Sequence, residues 1–158
     1  MFDAKQLEKY AKVLVWGLTT SRTKPYVKGD IVLVYYELSA LGLAQAVQAE
    51  ILKMGLNPVM RAGLNSGMEF DFYDLADDNQ LVFHPPGHKE LYESLNGAMY
   101  LLGPESLTHL KDIDPKKIAE TAKARKPFRD ILVKREEKGE FGWTLCMNPT
   151  PALAKSAG

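Results

Sequence analysis

Cysteine is almost absent from the chain, and no charge of one sign predominates. Cys146 is the single cysteine, which excludes an intrachain disulfide and favours a reducing compartment. The 20 lysines and arginines are balanced by 20 aspartates and glutamates, so no basic excess attracts nucleic acid or an anionic membrane. No run approaches the roughly 18 apolar residues of a transmembrane helix, and no secretion-signal pattern opens the sequence. We therefore expect a cytoplasmic protein that binds neither nucleic acid nor membranes.

The glycine-rich motifs of nucleotide-binding proteins are also missing. The turn after the first predicted strand, residues 36–42, lacks the spaced glycines that let a backbone approach a phosphate. The nucleophile candidates are Ser39, Ser66, Ser94 and Cys146, and none lies in a Gly-x-Ser-x-Gly elbow. Ser39 and Ser66 are better explained as helix caps, and Cys146 as a small apolar residue of a buried strand. The sequence therefore predicts no catalytic and no cofactor-binding residue in this chain.

Histidines are few, and their spacing argues against a metal site. His84 and His88 are four residues apart, with several aspartates upstream. This spacing brings two imidazoles to one face only on a helix, and Pro85-Pro86-Gly87 between them prevents a helix. We expect His88 at the surface, at the start of the next helix, and His109 exposed without a carboxylate partner. The sequence therefore predicts no metal ligand in this chain.

Apolar periodicity divides the chain into alternating helices and strands. Apolar runs predict strands over 31–36, 58–62, 97–102 and 141–147. Helical spacing predicts helices over 4–18, 40–53, 67–75, 88–96 and 115–124, and a separate helical stretch from a break at Lys126-Pro127 to about residue 138. Residues 81–84 fit a strand or a loop. Strands without polar alternation need cover on both faces, so we expect an α/β fold with three layers and a mainly parallel sheet, helices on both faces.

Ligands of such sheets bind beyond the carboxyl ends of the strands. The segments expected at that edge are 37–39, 62–65, 103–105 and 148–150. The unbroken apolar character of 31–36 and 97–102 predicts that these two strands are central. The carboxyl edge is therefore the region in which the sequence places a candidate site.

The last residues of the sequence are typical of the start of another helix. Pro149-Thr150-Pro151 follows the last predicted strand, and residues 152–157 are good to fair helix formers. A helix of about one and a half turns is short for the end of a domain. We therefore expect residues 1–150 to form an α/β amino-terminal domain. Residues 151–158 are then expected to begin the linker or helix that leads into a missing carboxy-terminal catalytic domain.

Five stretches, by their order and spacing, resemble the amino-terminal domain of the thermophilic-type aminopeptidases, peptidase family M29, also called the aminopeptidase T family. They are residues 7–15, 27–34, 53–59, 97–103 and 143–154, the last with a tryptophan on a strand, a Pro-Thr pair and an Ala-rich helix. The resemblance implies a two-domain, homodimeric exopeptidase. Two divalent metal ions, zinc, cobalt or similar, would activate water and polarise the scissile carbonyl. It also implies that the metal ligands lie in the carboxy-terminal domain, where a peptide or amino-acid amide binds, and that the amino-terminal domain helps to enclose the substrate cavity.

Two other hypotheses stay open at this level. The same fold family is similar to iron-dependent dioxygenases that cleave dihydroxypyridine rings, so the amino-terminal domain of such an oxygenase is one alternative. A self-contained α/β binding module is the other. Residues beyond Gly158 separate the last hypothesis from the first two, and the metal of the parent protein separates peptidase from oxygenase. Under the peptidase hypothesis, the isolated chain has no activity of its own.

Overall fold

Four parallel strands form one sheet at the centre of the chain. The computed structural model describes residues 2–157. The strands are β1 (Ile31–Tyr36), β2 (Asn57–Ala62), β3 (Gly97–Leu102) and β4 (Gly142–Met147). They lie in the order β2-β1-β3-β4, and each neighbouring pair is parallel. The prediction that residues 31–36 and 97–102 form the central strands is therefore confirmed.

Helices cover both faces of this sheet. Within the described residues they are α1 (Ala4–Thr20), α2 (Leu41–Lys53), α3 (Ser66–Leu75), α4 (Asp78–Leu81), α5 (His88–Ser94), α6 (Pro115–Glu137) and α7 (Pro151–Ala157). One core joins α1 and α2 to the sheet, and a second joins α5 and α6 to its opposite face. A third cluster packs α3 and α4 against the start of α6. The three-layer α/β fold expected from the sequence is confirmed, and no helix of residues 2–157 has the length and apolar character to cross a bilayer.

Alternating residues of the central strands explain the continuous apolar sequence. Val32 and Val34 of β1 belong to the core formed with α1 and α2. Leu33, between them, belongs to the core formed with α5 and α6. Both faces of the strand are therefore covered: Val32, Leu33 and Val34 are buried, and the other residues of β1 are partly buried. Each fully buried aliphatic side chain stabilises the fold by about 1.5–3 kcal/mol.

Two helix caps differ from the sequence prediction. Asn65, not Ser66, caps α3, because its Oδ1 accepts a hydrogen bond from the Met68 amide at 2.8 Å and its backbone is extended. Ser39 lies in a 3₁₀ turn before α2 and caps no helix. Its hydroxyl instead donates to the carbonyl of Gly103, at 2.7 Å, across the carboxyl edge of the sheet. Ser39 therefore precedes the helix as predicted, but its hydroxyl bonds a residue 64 positions away and not the first turn of α2.

The predicted break at Lys126-Pro127 is wrong, because α6 continues through Pro127. An interior proline removes a helical hydrogen bond and costs about 3 kcal/mol. Packing on both sides of it holds the helix together: Thr121 is buried against α4, and Leu132 is buried against the sheet. The strand alternative for 81–84 is also wrong, since α4 ends at Leu81 and a loop follows. Other boundaries agree to about two residues, the usual scatter of helix ends.

The amino ends of three strands are tied together by one buried side chain, Arg22. Its Nη2 lies 2.6 Å from Asp30 Oδ2, and the two side chains are only 4% and 11% exposed. Its nitrogens also donate to the backbone carbonyls of Lys24, Pro25, Asn96 and Glu140. The guanidinium lies over the ring of Tyr26, 3.6 Å from its centroid. Arg22 with these partners, the Arg22 cluster, therefore fixes the edge of the sheet opposite to the candidate site.

Candidate functional site

The segments that follow β1, β3 and β4 meet at the carboxyl edge of the sheet, as the sequence predicted. The amide of Gly103 donates to Glu37 Oε2 at 2.7 Å, and Asn148 Nδ2 donates to the Ser39 carbonyl at 3.1 Å. Thr150, which is buried, donates from its hydroxyl to the carbonyl of Pro104 at 2.8 Å. A β-carbon on Gly103 would displace Ser39 Oγ and so disturb the hydrogen bond from this hydroxyl to the Gly103 carbonyl. The edge is therefore an ordered hydrogen-bonded surface with Glu37 at its centre.

A histidine–glutamate pair lies beside this edge. His109 Nε2 donates to Glu69 Oε2 at 2.8 Å, and the two side chains are partly buried. The sequence predicts that His109 is exposed and has no carboxylate partner, and both predictions are wrong. The partner, Glu69, lies on α3 and is 40 residues away, so local spacing does not reveal it. His109 Nδ1 is buried and has no hydrogen-bond partner within residues 2–157. No hydroxyl or thiol of the described chain therefore completes a nucleophile–histidine–carboxylate arrangement.

A larger cavity, of about 490 Å³, opens where β1 and β2 end and α5 and α6 cover the sheet. Its polar lining is basic and aromatic: Arg61, Arg125, Arg129, His84 and His88, with the tyrosines Tyr35, Tyr92 and Tyr100. No carboxylate of residues 2–157 lines it. Its volume falls in the range of small-molecule sites, about 300–1,000 Å³.

The two histidines of this cavity are close together although no helix joins them. Their rings stack with centroids 5.5 Å apart, because the turn at Pro85-Pro86-Gly87 returns the chain, with Gly87 at a φ of 79°. Phe128 of α6 packs edge-on against both rings, at 4.4 and 4.5 Å. His84 Nε2 donates to the Ala124 carbonyl at 3.0 Å, and Arg61 donates to His88 Nδ1 at 3.4 Å. His88 begins α5, as predicted, and its partly buried ring forms part of the cavity wall.

Burial and like charge set the protonation of this cavity. The pKa of His88 is lowered from its ordinary value by burial and then by the nearby Arg61, His84 and Arg125. Burial raises the pKa of Tyr100 to about 12, and it raises the pKa of Tyr35 as well, with Glu37 and Glu69 adding to the effect on Tyr35. At neutral pH the cavity thus presents three guanidinium groups, a neutral His88 and protonated phenols.

We expect an NMR titration of His88 to give a pKa below 6.5, with the imidazole neutral at pH 7. The folded state then favours the neutral imidazole of His88, and His88 of the unfolded chain binds a proton at a higher pH. The contribution of His88 to stability is therefore constant above about pH 6.5 and is lost as the pH falls through the folded-state pKa. The urea midpoint should fall less between about pH 7.5 and pH 5 in His88→Phe than in the parent chain. Equal falls in both proteins, or a pKa at or above 6.5, would contradict this assignment.

The metal donors of the described chain do not fit the paired-metal site that the resemblance implies. No three His, Cys, Asp or Glu side chains of residues 2–157 converge to hold an ion. The His84–His88 pair has Arg61 and Arg125 as neighbours, whose positive charge opposes a divalent cation. In the Glu69–His109 pair, Nε2 is hydrogen-bonded to the carboxylate, and no group of three donors within the described residues includes the remaining Nδ1. No catalytic step can therefore be assigned to a metal bound by these residues.

The chain belongs to the thermophilic metalloprotease family M29, whose family model matches residues 3–157. Among solved structures it is similar to wild-type AmpT from Thermus thermophilus, with a TM-score of 0.66 and 15% sequence identity. That match covers 92% of this chain and 36% of the AmpT chain, and at this identity it shows a shared fold. No curated protein matches the chain significantly. The family resemblance drawn from the sequence is therefore confirmed.

Sequence reasoning missed the three arginines of the cavity. Arg125 and Arg129 are four residues apart, which places them on one face of a helix, but the predicted break at Pro127 separated them. Arg61 comes at the end of β2, where a site is expected, but a single arginine at a strand end carries no pattern. A prediction of one continuous helix through Pro127 would have placed Arg125 and Arg129 on the same helix face.

Proposed function

We propose that this chain is the amino-terminal domain of an M29-type, metal-dependent aminopeptidase and that it helps to enclose the substrate cavity. The observation that carries the proposal is the family match, which extends over the whole α/β unit, from residue 3 to residue 157. The corresponding region is 36% of AmpT, so the proposal assigns the metal ions and the catalytic groups to other parts of the parent enzyme. Cytoplasmic location, a homodimeric parent and a peptide or amino-acid amide substrate belong to the same proposal.

The carboxyl edge is the surface best suited to line a peptide cavity. The segments after β1 and β2 each carry an exposed leucine there, Leu38 and Leu64. Leu38 and Leu64 border a recess with Glu37 and Glu69, so apolar and acidic groups lie side by side. Such a surface suits an apolar side chain next to a positively charged α-amino group. This supports a role in enclosing substrate without a catalytic residue from this domain.

The test compares the 158-residue chain with a protein in which its reading frame continues past Gly158. We expect the longer protein, supplied with zinc or cobalt, to release ammonia from leucine amide, and the 158-residue chain to release none. The physical reason is that residues 2–157 bring together neither a metal-ligand set nor a nucleophile with its base. Hydrolysis by the 158-residue chain would contradict the proposal. Cleavage of a dihydroxypyridine under oxygen by the longer protein, without amide hydrolysis, would also contradict it and would favour the oxygenase alternative. A reading frame that stops at Gly158 would favour the self-contained module.

The part of this domain in enclosing substrate has a separate readout in the same assay. Leu64→Ser in the longer protein should raise KM for leucine amide with little change in bound metal. Leu52→Ser is the matched control, since Leu52 is 54% exposed against 52% for Leu64 but lies on α2, away from the carboxyl edge. Equal kinetics for the two variants would assign the carboxyl edge no part in substrate binding.

A further inference from the structure

We infer that the basic cavity between the sheet and α6 binds a small organic oxyanion, a phosphate or carboxylate group carried on a flat ring. This site lies within the described chain and needs no metal and no catalytic group. It is therefore independent of the proposed peptidase function. The argument rests on the charges, the ring surfaces and the size of the cavity.

Guanidinium groups face the cavity from two sides. Arg61 comes from β2, and Arg125 and Arg129 come from successive turns of α6. None of the three forms an ion pair within the described residues, and Asp130, which follows Arg129, pairs with Lys126 instead. Arg125 and Arg129 are exposed, so solvent screens part of their repulsion, and an anion among the three guanidiniums gains attraction from each of them. Arginine is also the side chain whose planar fork matches the oxygens of phosphate and carboxylate.

The acidic group behind the sheet end of the cavity, Glu37, is hydrogen-bonded at the carboxyl edge. Glu37 lies behind Gly63, and its carboxylate accepts the amide hydrogen of Gly103 at the carboxyl edge. Among the residues that the structure describes, the Arg61 side chain hydrogen-bonds only to the neutral His88, through a long bond of 3.4 Å. An oxyanion would therefore replace a weak partner of Arg61 and would not compete with a carboxylate of the protein.

Aromatic rings form the remaining walls. Tyr35 and Tyr100 lie side by side on the sheet, with ring centroids 6.4 Å apart. Phe128, with Tyr92 5.6 Å from it, forms the opposite wall together with the histidine rings. Ring faces of this kind bind flat apolar groups by stacking or edge contacts. With about 490 Å³ of space, the cavity accommodates an oxyanion and one ring.

The test is isothermal titration calorimetry of the 158-residue chain with four probes: phenyl phosphate, benzoate, inorganic phosphate and phenol. We expect phenyl phosphate, benzoate or both to bind with a Kd below about 1 mM at low salt. The stronger of the two identifies the anionic group. Inorganic phosphate, which lacks the ring, and phenol, which lacks the charge, should each bind at least about tenfold more weakly.

Substitutions assign the binding to this cavity. Arg61→Gln and Arg125→Gln should each weaken the stronger probe about tenfold or more, as expected for loss of a charged hydrogen bond. Lys123→Gln removes the same charge from α6 at a position outside the cavity and should change the Kd less than about twofold. Phe128→Leu should bring phenyl phosphate to the affinity of inorganic phosphate. Circular dichroism of each variant establishes that it is folded.

A second measurement needs no substitution. Addition of the stronger probe to the parent chain should shift the NMR signals of His84 and His88 and leave that of His109, which lies outside the cavity, in place. The inference is overturned if neither anionic probe binds, if phenol binds as well as they do, if affinity is unchanged by both arginine substitutions, or if the His109 signal alone responds.

Discussion

Replacing Arg22 with leucine is expected to lower the free energy of unfolding by about 3–5 kcal/mol. The substitution leaves the Asp30 carboxylate, only 11% exposed, without its cation, and removes one hydrogen-bond donor from each of four backbone carbonyls. Arg22→Lys should also destabilise, because one ammonium cannot serve acceptors that lie in several directions around a planar guanidinium. Urea unfolding followed by circular dichroism measures both effects.

Two further variants separate the buried pair from ordinary surface charge. Lys24→Met removes the ion pair between Lys24 and Glu140, which is exposed, and should leave the urea midpoint almost unchanged. Arg22→Leu combined with Asp30→Leu should recover part of the loss, since the unpaired carboxylate disappears with its partner. A midpoint for Arg22→Leu equal to that of the parent chain would show that the Arg22 cluster does not stabilise the fold.

Replacing Ile51 with alanine is expected to cost about 2–5 kcal/mol of stability. Ile51 is fully buried in the core between α2 and the sheet, so truncation leaves a cavity that close-packed neighbours can fill only in part. Leu52 is the adjacent residue of the same helix and is 54% exposed, which makes Leu52→Ala a control for helix propensity. That variant should change the stability by less than about 0.5 kcal/mol, and similar losses for the two would contradict the assigned face of α2.

The architecture was predictable because both central strands are apolar on both faces. Residues 31–36 and 97–102 match β1 and β3, and their continuous apolar sequence already required helices on either side. The errors arose where a distant contact outweighed a local preference. Pro127 ends a helix by its own chemistry, yet Thr121, Phe128 and Leu132 pack on both sides of it and keep α6 intact.

The sequence predicts where the candidate sites lie, but not which side chains pair within them. The carboxyl edge follows from the parallel topology, and the contacts of Ser39, Gly103 and Asn148 lie there. The pairing of His109 with Glu69 joins residues 40 positions apart, and sequence spacing carries no information about it. The stacking of His84 on His88 shows that a sharp turn, like a helix, can bring residues four positions apart together.

The Arg22 cluster also has a kinetic consequence. The hydrogen bonds of Arg22 span 2, 3, 8, 74 and 118 positions, and the two that reach Asn96 and Glu140 close very long loops. Loop-closure entropy opposes such contacts until most of the chain is in place, which puts their formation late in folding. Interactions that form after the transition state slow unfolding and hardly affect the folding rate. We therefore expect the long-range hydrogen bonds of the Arg22 cluster to lower the unfolding rate of the chain. A lower unfolding rate lengthens the lifetime of the native sheet and reduces its exposure to proteases.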